Sequence, residues 1–152
     1  MPSSSNELVS VIIPSYNRAA YIEAAISSAL DQTYGPVEVI VVDDGSTDGS
    51  YEKLQQWEER GELVLLTHPE RRNRGQSASI NLGIQQAVGS YIAILDSDDM
   101  FAKEKLADQV AFLEANPETG MVYGQGHAVD ADGNFLFKVP GDGHQEPSDP
   151  NR

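Results

Sequence analysis

Apolar residues along most of this chain fall into short runs, and between the runs they recur at helical spacing. Leu8 to Ile13 and Val37 to Val42 each predict a buried strand, Leu63 to Leu66 a third, short strand and Tyr91 to Leu95 a fourth. Ala20 to Leu30 reads as a helix with Ile22, Ala25, Ile26, Ala29 and Leu30 on one face. A second helix, from about Asp48 to Arg60, repeats Tyr51, Leu54 and Trp57, and Gly61 ends it. A third, from about Gln76 to Ala87, is expected to bury Ile80, Ile84 and Ala87, with Gly89 marking its end. A fourth, Lys103 to Ala115, turns Leu106, Val110 and Leu113 inward, and Met121 to Tyr123 begins a fifth strand. Regular alternation of strand and helix predicts an α/β fold. Its sheet is Rossmann-like and mostly parallel, with helices on both faces and right-handed crossovers.

The pattern changes after Gly124. His127 to Val129 and Phe135 to Val139 flank Asp132-Gly133, a turn dipeptide between two extended runs, which predicts a β-hairpin near the C-terminus. Asp130-Ala131-Asp132-Gly133-Asn134 has the look of a metal loop, but inside a hairpin it reads as the turn. Residues 1–7 form a polar start, 8–139 the domain, and 140–152 a frayed tail with almost nothing to bury.

Three of the apolar runs stop at polar clusters: Pro14-Ser15-Tyr16-Asn17, Asp43-Asp44-Gly45-Ser46 and Asp96-Ser97-Asp98-Asp99. If these runs are neighbouring parallel strands, the clusters share one edge of one sheet, where open α/β folds bind ligands. Five aspartates would then meet in one crevice. Like charges that close raise one another's pKa unless a cation sits among them, and a divalent metal carrying a phosphate-bearing substrate resolves the conflict.

Composition narrows the chemistry. The 152 residues have the length of one domain and include no cysteine, which removes disulfides, thiolate metal sites and cysteine nucleophiles together. Three scattered histidines, His68, His127 and His144, lack the paired spacing of a helical zinc site. Ten Lys and Arg against 24 Asp and Glu give a net charge of −14, a poor match for nucleic acid or anionic lipid. No apolar stretch has the length of a membrane span, and no apolar signal region follows the start. The expectation is a soluble cytoplasmic protein, with peripheral membrane contact left open.

Within the clusters, each functional reading stands beside a structural one. Asp96-Ser97-Asp98-Asp99 offers carboxylate oxygens without thiol or imidazole, which suits Mg²⁺ or Mn²⁺ held jointly with substrate phosphates; alternatively, Asp98 or Asp99 caps the next helix. Asp43 and Asp44 precede a glycine that permits a tight turn, and Ser46, Thr47 or Asp48 is expected to cap a helix. A carboxylate here could accept from a nucleobase N–H or a ribose hydroxyl. Tyr16 could stack on a base or simply pack, and Asn17 reads as a helix cap. Arg71-Arg72-Asn73-Arg74-Gly75 is the one dense basic cluster, either a solvated loop or a set of guanidinium contacts to a diphosphate or base.

Taken in order, Val9 to Asn17, Val41 to Asp48, Asn73-Arg74-Gly75 with Asn81-Leu82-Gly83, and Gly89 to Asp99 resemble the family 2 glycosyltransferases of GT-A fold. The resemblance runs from about Val9 to Val139. It implies a nucleotide-sugar site, usually for a UDP-sugar, and transfer with inversion to a saccharide, lipid-linked or protein acceptor. By the family pattern, Pro14 and Tyr16 frame the base, Asp44 bonds the uracil edge and Asp43 supports that loop. Asp96 contacts the ribose or donor sugar, Asp98 binds Mn²⁺ or Mg²⁺, and Arg74 or a neighbour approaches the base or diphosphate. Full members continue past the hairpin with segments that shape the acceptor pocket and supply the catalytic base, so the base is expected beyond Arg152. Two other classes compete: a nucleotide-sugar-binding module without turnover, and a receiver-type signalling domain. The latter wants an acidic pair after its first strand, where this chain has Pro14-Ser15-Tyr16-Asn17.

Overall fold

A computed structural model of the chain describes residues 7–130 and 132–139. The polar start before Glu7 and the tail from Pro140 lie outside them. Contacts group the chain into two compact units, Met1–Ala111 and Phe112–Arg152.

The first unit is built on Val9–Ser15 (β1), every residue of which is buried. It pairs in parallel with Val37–Asp43 (β2) on one side and Tyr91–Ile94 (β4) on the other, and β2 pairs in parallel with Val64–Thr67 (β3). In the order β3-β2-β1-β4 the chain steps from β1 out to β3 and then crosses to the other side of β1, so the strand order reverses between β1 and β4. The crevice at such a reversal opens beyond the C-terminal ends of β1 and β4.

Side chains alternate across the sheet, so the two faces are read from odd and even positions. Val9, Val11, Ile13, Val39 and Val41 join one core with Ile22, Ala25, Ile26 and Ala29 of Ile22–Leu30 (α1) and Leu54 of Ser50–Glu59 (α2). Leu106 and Val110 of Lys105–Ala115 (α4) belong to the same core, with Leu63 and Leu95. On the opposite face, Ile12 and Val42 meet Gln76–Gln86 (α3). Helices therefore cover both faces, as the alternation predicts.

The contact face of α3 differs from expectation. Its buried residues are Ser79 and Gly83, while Ile84 is 44% exposed. A Cβ on Gly83 would lie 2.5 Å from Ile12 Cγ2 and 3.4 Å from Val42 Cγ2, so the helix lies too close to the sheet for a larger residue. Close approach, rather than apolar period, selects this face. Gly83→Val is expected to cost about 2 kcal/mol by overpacking, seen as a lower urea midpoint at unchanged slope.

Other elements shift in ways that local geometry explains. Helix α2 does end at Gly61, whose φ of +73° carries the left-handed turn while its N–H donates to the Glu58 carbonyl. Gly89, expected to mark a helix end, serves a close approach instead: a Cβ there would lie 2.7 Å from the Leu8 carbonyl oxygen and 2.8 Å from Ser10 N. Strand β4 is outermost, and Ile92 and Ile94 are 43% and 41% exposed, so its apolar run is sheltered on one side only, where Tyr91 and Ala93 are partly buried against the core.

In the second unit, Gly126–Val129 (β5) and Phe135–Val139 (β6) form the predicted antiparallel hairpin. Asp130 builds its turn, accepting the Asp132 and Asn134 N–H groups at 2.9 Å. The strand expected from Met121 to Tyr123 is not formed. The described ladder runs from Val129 with Phe135 to Gly126 with Val139, so those residues lie beyond its pairing, and Met121 is 79% exposed. No helix among the described residues is long and apolar enough to cross a membrane.

Candidate functional site

The loops that follow β1, β2 and β4 converge on one cleft of about 420 Å³, which lies wholly in the first unit. Pro14, Ser15, Tyr16 and Arg18 come from the first loop, Asp44 from the second, and Asp96, Ser97 and Asp98 from the third. Asn73, Gly75, Gln76 and Ser79, from the basic segment and the start of α3, close it. Tyr16 is 45% exposed, an accessible aromatic ring beside a pocket of carboxylates. Ser15 is 1% exposed and its hydroxyl has no partner among the described residues, an orphan polar atom at the cleft wall.

Asp44 is the keystone of this arrangement. Its N–H donates to the Ser15 carbonyl at 2.8 Å, which fastens the end of β2 to the end of β1. Its side chain, nearly fully buried, accepts the Arg74 N–H at 2.6 Å on one oxygen and the Gly75 N–H at 2.8 Å on the other. His68 Nε2 stands 3.6 Å from the first oxygen and within 3.0 Å of the Ser79 hydroxyl. Asp44 thus clamps the basic segment while still lining the cleft, because each carboxylate oxygen keeps a second lone pair.

Asp43 faces inward. Fully buried, it accepts the Gly45 and Ser46 N–H groups at 3.2 and 3.1 Å through one oxygen, with Arg71 3.7 Å away. Arg71 also donates to the Ser46 carbonyl at 3.2 Å and stacks 3.6 Å above the Tyr51 ring. The expectation that five aspartates share the crevice is therefore corrected to three: Asp44, Asp96 and Asp98 line it, whereas Asp43 is turned into the loop and Asp99 is not among the lining residues. Burial first, then the charges of Asp98 and Asp96, raises the Asp99 carboxyl above the ordinary carboxylate range.

Asp96 accepts from the Gln76 amide at 2.7 Å, and Asp98 pairs with Arg18 Nε at 3.1 Å. Helix α4 begins only at Lys105, so neither Asp98 nor Asp99 caps it. Nor does Asn17 cap α1. It sits at φ +51° and braces two loops, donating its N–H to the Ser46 hydroxyl at 3.0 Å and accepting the Thr47 N–H at 2.8 Å. The Arg74 side chain is exposed and absent from the cleft lining; only its backbone N–H is engaged there.

Sequence reasoning missed Arg18, His68 and Gln76 as parts of this site. Arg18 carried a signal, since it directly follows a polar cluster at a strand end. His68 carried none, because its role depends on where α3 places Ser79.

No group of three or more metal-binding side chains exists among the described residues. The two accessible carboxylates of Asp96 and Asp98 nonetheless fit a hard divalent ion that takes one or two protein oxygens and completes its shell with phosphates and water.

Comparison with known proteins adds the following. The family model for glycosyl transferase family 2 matches residues 10–144. The putative teichuronic acid biosynthesis glycosyltransferase TuaG of Bacillus subtilis is 45% identical over 106 residues, which cover 70% of this chain and 42% of that protein. The glycosyltransferase GlyG of Streptococcus pneumoniae is 38% identical over 139 residues, covering 90% of this chain and 45% of that one. S. aureus TarS 1-349, solved with UDP-GlcNAc, superposes with a TM-score of 0.63 at 34% identity over 72% of this chain and 32% of its own. The mannosyltransferase PcManGT of Pyrobaculum calidifontis, solved with GDP-Man and Mn²⁺, gives 0.63 at 32% identity over 72% and 33%. The chain spans less than half the length of these relatives.

Proposed function

This chain belongs to glycosyl transferase family 2, and from that premise we propose that its cleft binds a nucleotide-diphosphate sugar, a UDP-sugar, with Mn²⁺ or Mg²⁺ at Asp98. The intact protein then transfers the sugar, with inversion, to a hydroxyl of a saccharide, lipid-linked or protein acceptor. One observation carries the reading: Tyr16 and Pro14, the Asp44 clamp and the Asp96-Ser97-Asp98 loop line a single cleft at the reversal between β1 and β4. TarS in complex with UDP-GlcNAc, on the same fold, supports the choice of donor.

In this reading Tyr16 and Pro14 flank the base, and the lone pairs that Asp44 keeps toward the cleft accept from the base edge. The orphan Ser15 hydroxyl supplies a donor or acceptor at the wall. Asp43 fixes the turn on which Asp44 rides. Asp96, held by Gln76, faces the ribose or the donor sugar, and the exposed basic segment with Arg74 stands above the diphosphate. When bound, the ion neutralises charge on the departing diphosphate as a Lewis acid.

A second reading, a nucleotide-sugar-binding module without independent turnover, is favoured by one feature. Each carboxylate lining the cleft already has a protein partner: loop N–H groups for Asp44, Gln76 for Asp96 and Arg18 for Asp98. None stands free to take the acceptor's proton, which a base within hydrogen-bond reach must do. Transfer assays on this chain and on a longer one separate the two.

The binding proposal is tested by thermal shift with UDP, GDP and dTDP, each with and without Mn²⁺. UDP with Mn²⁺ is expected to stabilise most, by about 2.7 kcal/mol at a hundredfold excess over Kd. Asp98→Ala is expected to remove the metal-dependent part. A metal-dependent shift that persists in that variant refutes the assignment.

A further inference from the structure

Arg18 has a fastened backbone and a partly exposed guanidinium. Its N–H donates to the Ser50 hydroxyl at 2.9 Å, and the Ala19 N–H donates to Asp48 at 3.0 Å. The Ser50 hydroxyl in turn donates to Asp48 at 2.5 Å and, as the largest cause, holds that carboxyl below the ordinary range. The backbone after β1 is thereby fastened to the first turn of α2. The guanidinium, with 42% of the side chain exposed, is held by the Asn17 carbonyl at 3.1 Å and by Asp98 at 3.1 Å.

Arg18 is also the one basic side chain lining the cleft among the described residues, against Asp44, Asp96 and Asp98. A solvated ion pair of this kind is weak, so a divalent ion competes readily for the carboxylate. The two charges of a nucleotide-sugar diphosphate and the charge of the Asp98 carboxylate together exceed what one divalent ion cancels, and a guanidinium fork matches phosphate oxygens in geometry.

Building on the nucleotide-sugar reading, we propose that Arg18 is exchanged between two anions. It neutralises Asp98 while no divalent ion is bound, and it turns to the substrate diphosphate once that carboxylate is taken up as a metal ligand. Arg18 is then a phosphate-binding residue that distinguishes a diphosphate from a monophosphate, and between ligands the Arg18–Asp98 pair offsets one of the three carboxylate charges that line the cleft.

Calorimetry on wild type, Arg18→Gln and Arg18→Lys tests this, first with Mn²⁺ alone and then with UDP and UMP at saturating Mn²⁺. Without its internal competitor, Arg18→Gln is expected to bind Mn²⁺ about two- to fivefold more tightly. Its preference for UDP over UMP is expected to fall by about tenfold. Arg18→Lys, which keeps the charge but loses the fork, is expected to fall between the two, and it carries the test alone if Arg18→Gln does not fold. An unchanged Mn²⁺ affinity or an unchanged UDP-to-UMP ratio in the folded variants overturns the exchange. Wild-type protein that binds neither nucleotide overturns the underlying donor reading instead.

Discussion

Asp44→Asn is expected to loosen the ligand-free protein and to weaken UDP binding by about a hundredfold, although the substitution changes almost no volume. The carboxylate accepts two backbone N–H groups, one on each oxygen, from Arg74 at 2.6 Å and Gly75 at 2.8 Å. An amide offers one oxygen and one NH₂ group. Whichever way it is flipped, a donor faces a donor. One charge-assisted bond is lost, the other is weakened and a buried N–H is left unsatisfied, for about 2–4 kcal/mol in all. The melting temperature then falls by roughly 10 °C. Because Asn73, Gly75 and Gln76 line the cleft, releasing this segment removes a wall as well as the acceptor proposed to face the base. Scanning calorimetry without ligand reads the first effect and titration with UDP the second. A variant within 2 °C of wild type would show that Asp44 is not the clamp. Retained affinity would show that it does not face the base.

Much of the fold was legible because parallel strands buried on both faces must be apolar throughout and must stop where the chain turns. Those stops placed Pro14, Tyr16, Asp44, Asp96 and Asp98 on one sheet edge, and the cleft contains all of them. What sequence could not supply was distance. Ser79 and Gly83 form the contact face of α3 because the helix lies close to Ile12, and apolar periodicity pointed to Ile84 instead. Five aspartates stood at strand ends and were expected in one crevice, yet Asp43 and Asp44 are adjacent residues whose side chains leave the strand end on opposite sides. One was therefore bound to point away from the other's partners. Asn17 looked like a cap because asparagine before a helix usually is one. Its positive φ and its bonds to Ser46 and Thr47 depend on a loop thirty positions away in sequence, as the Asn17 to Thr47 bond shows. Arg71 read as one of three interchangeable basic residues until Tyr51 and buried Asp43 were seen beneath it.

Gly45→Ala is expected to damage both stability and binding, and comparison with Gly49→Ala isolates the reason. Both glycines have positive φ, +85° at Gly45 and +94° at Gly49. A side chain in that region costs about 1–2 kcal/mol at either position. Around Gly49 an added Cβ meets nothing within 4 Å, so the backbone term is the whole effect. At Gly45 the same atom would lie 2.5 Å from the Arg71 carbonyl oxygen and 3.2 Å from Asn73 N, both main-chain atoms that no rotamer change can move. The segment bearing Arg71 and Asn73 must lift off the β2 loop. Lifting it pulls Arg71 from the Ser46 carbonyl and the Tyr51 ring, and pulls the Arg74 and Gly75 N–H groups from Asp44. Gly45→Ala is therefore expected to cost about 2 kcal/mol more than Gly49→Ala in urea unfolding. It is also expected to lose UDP affinity, which Gly49→Ala keeps. Equal costs at the two positions would mean that the basic segment does not rest on Gly45, and the cleft would then lack the wall on which its nucleotide reading depends.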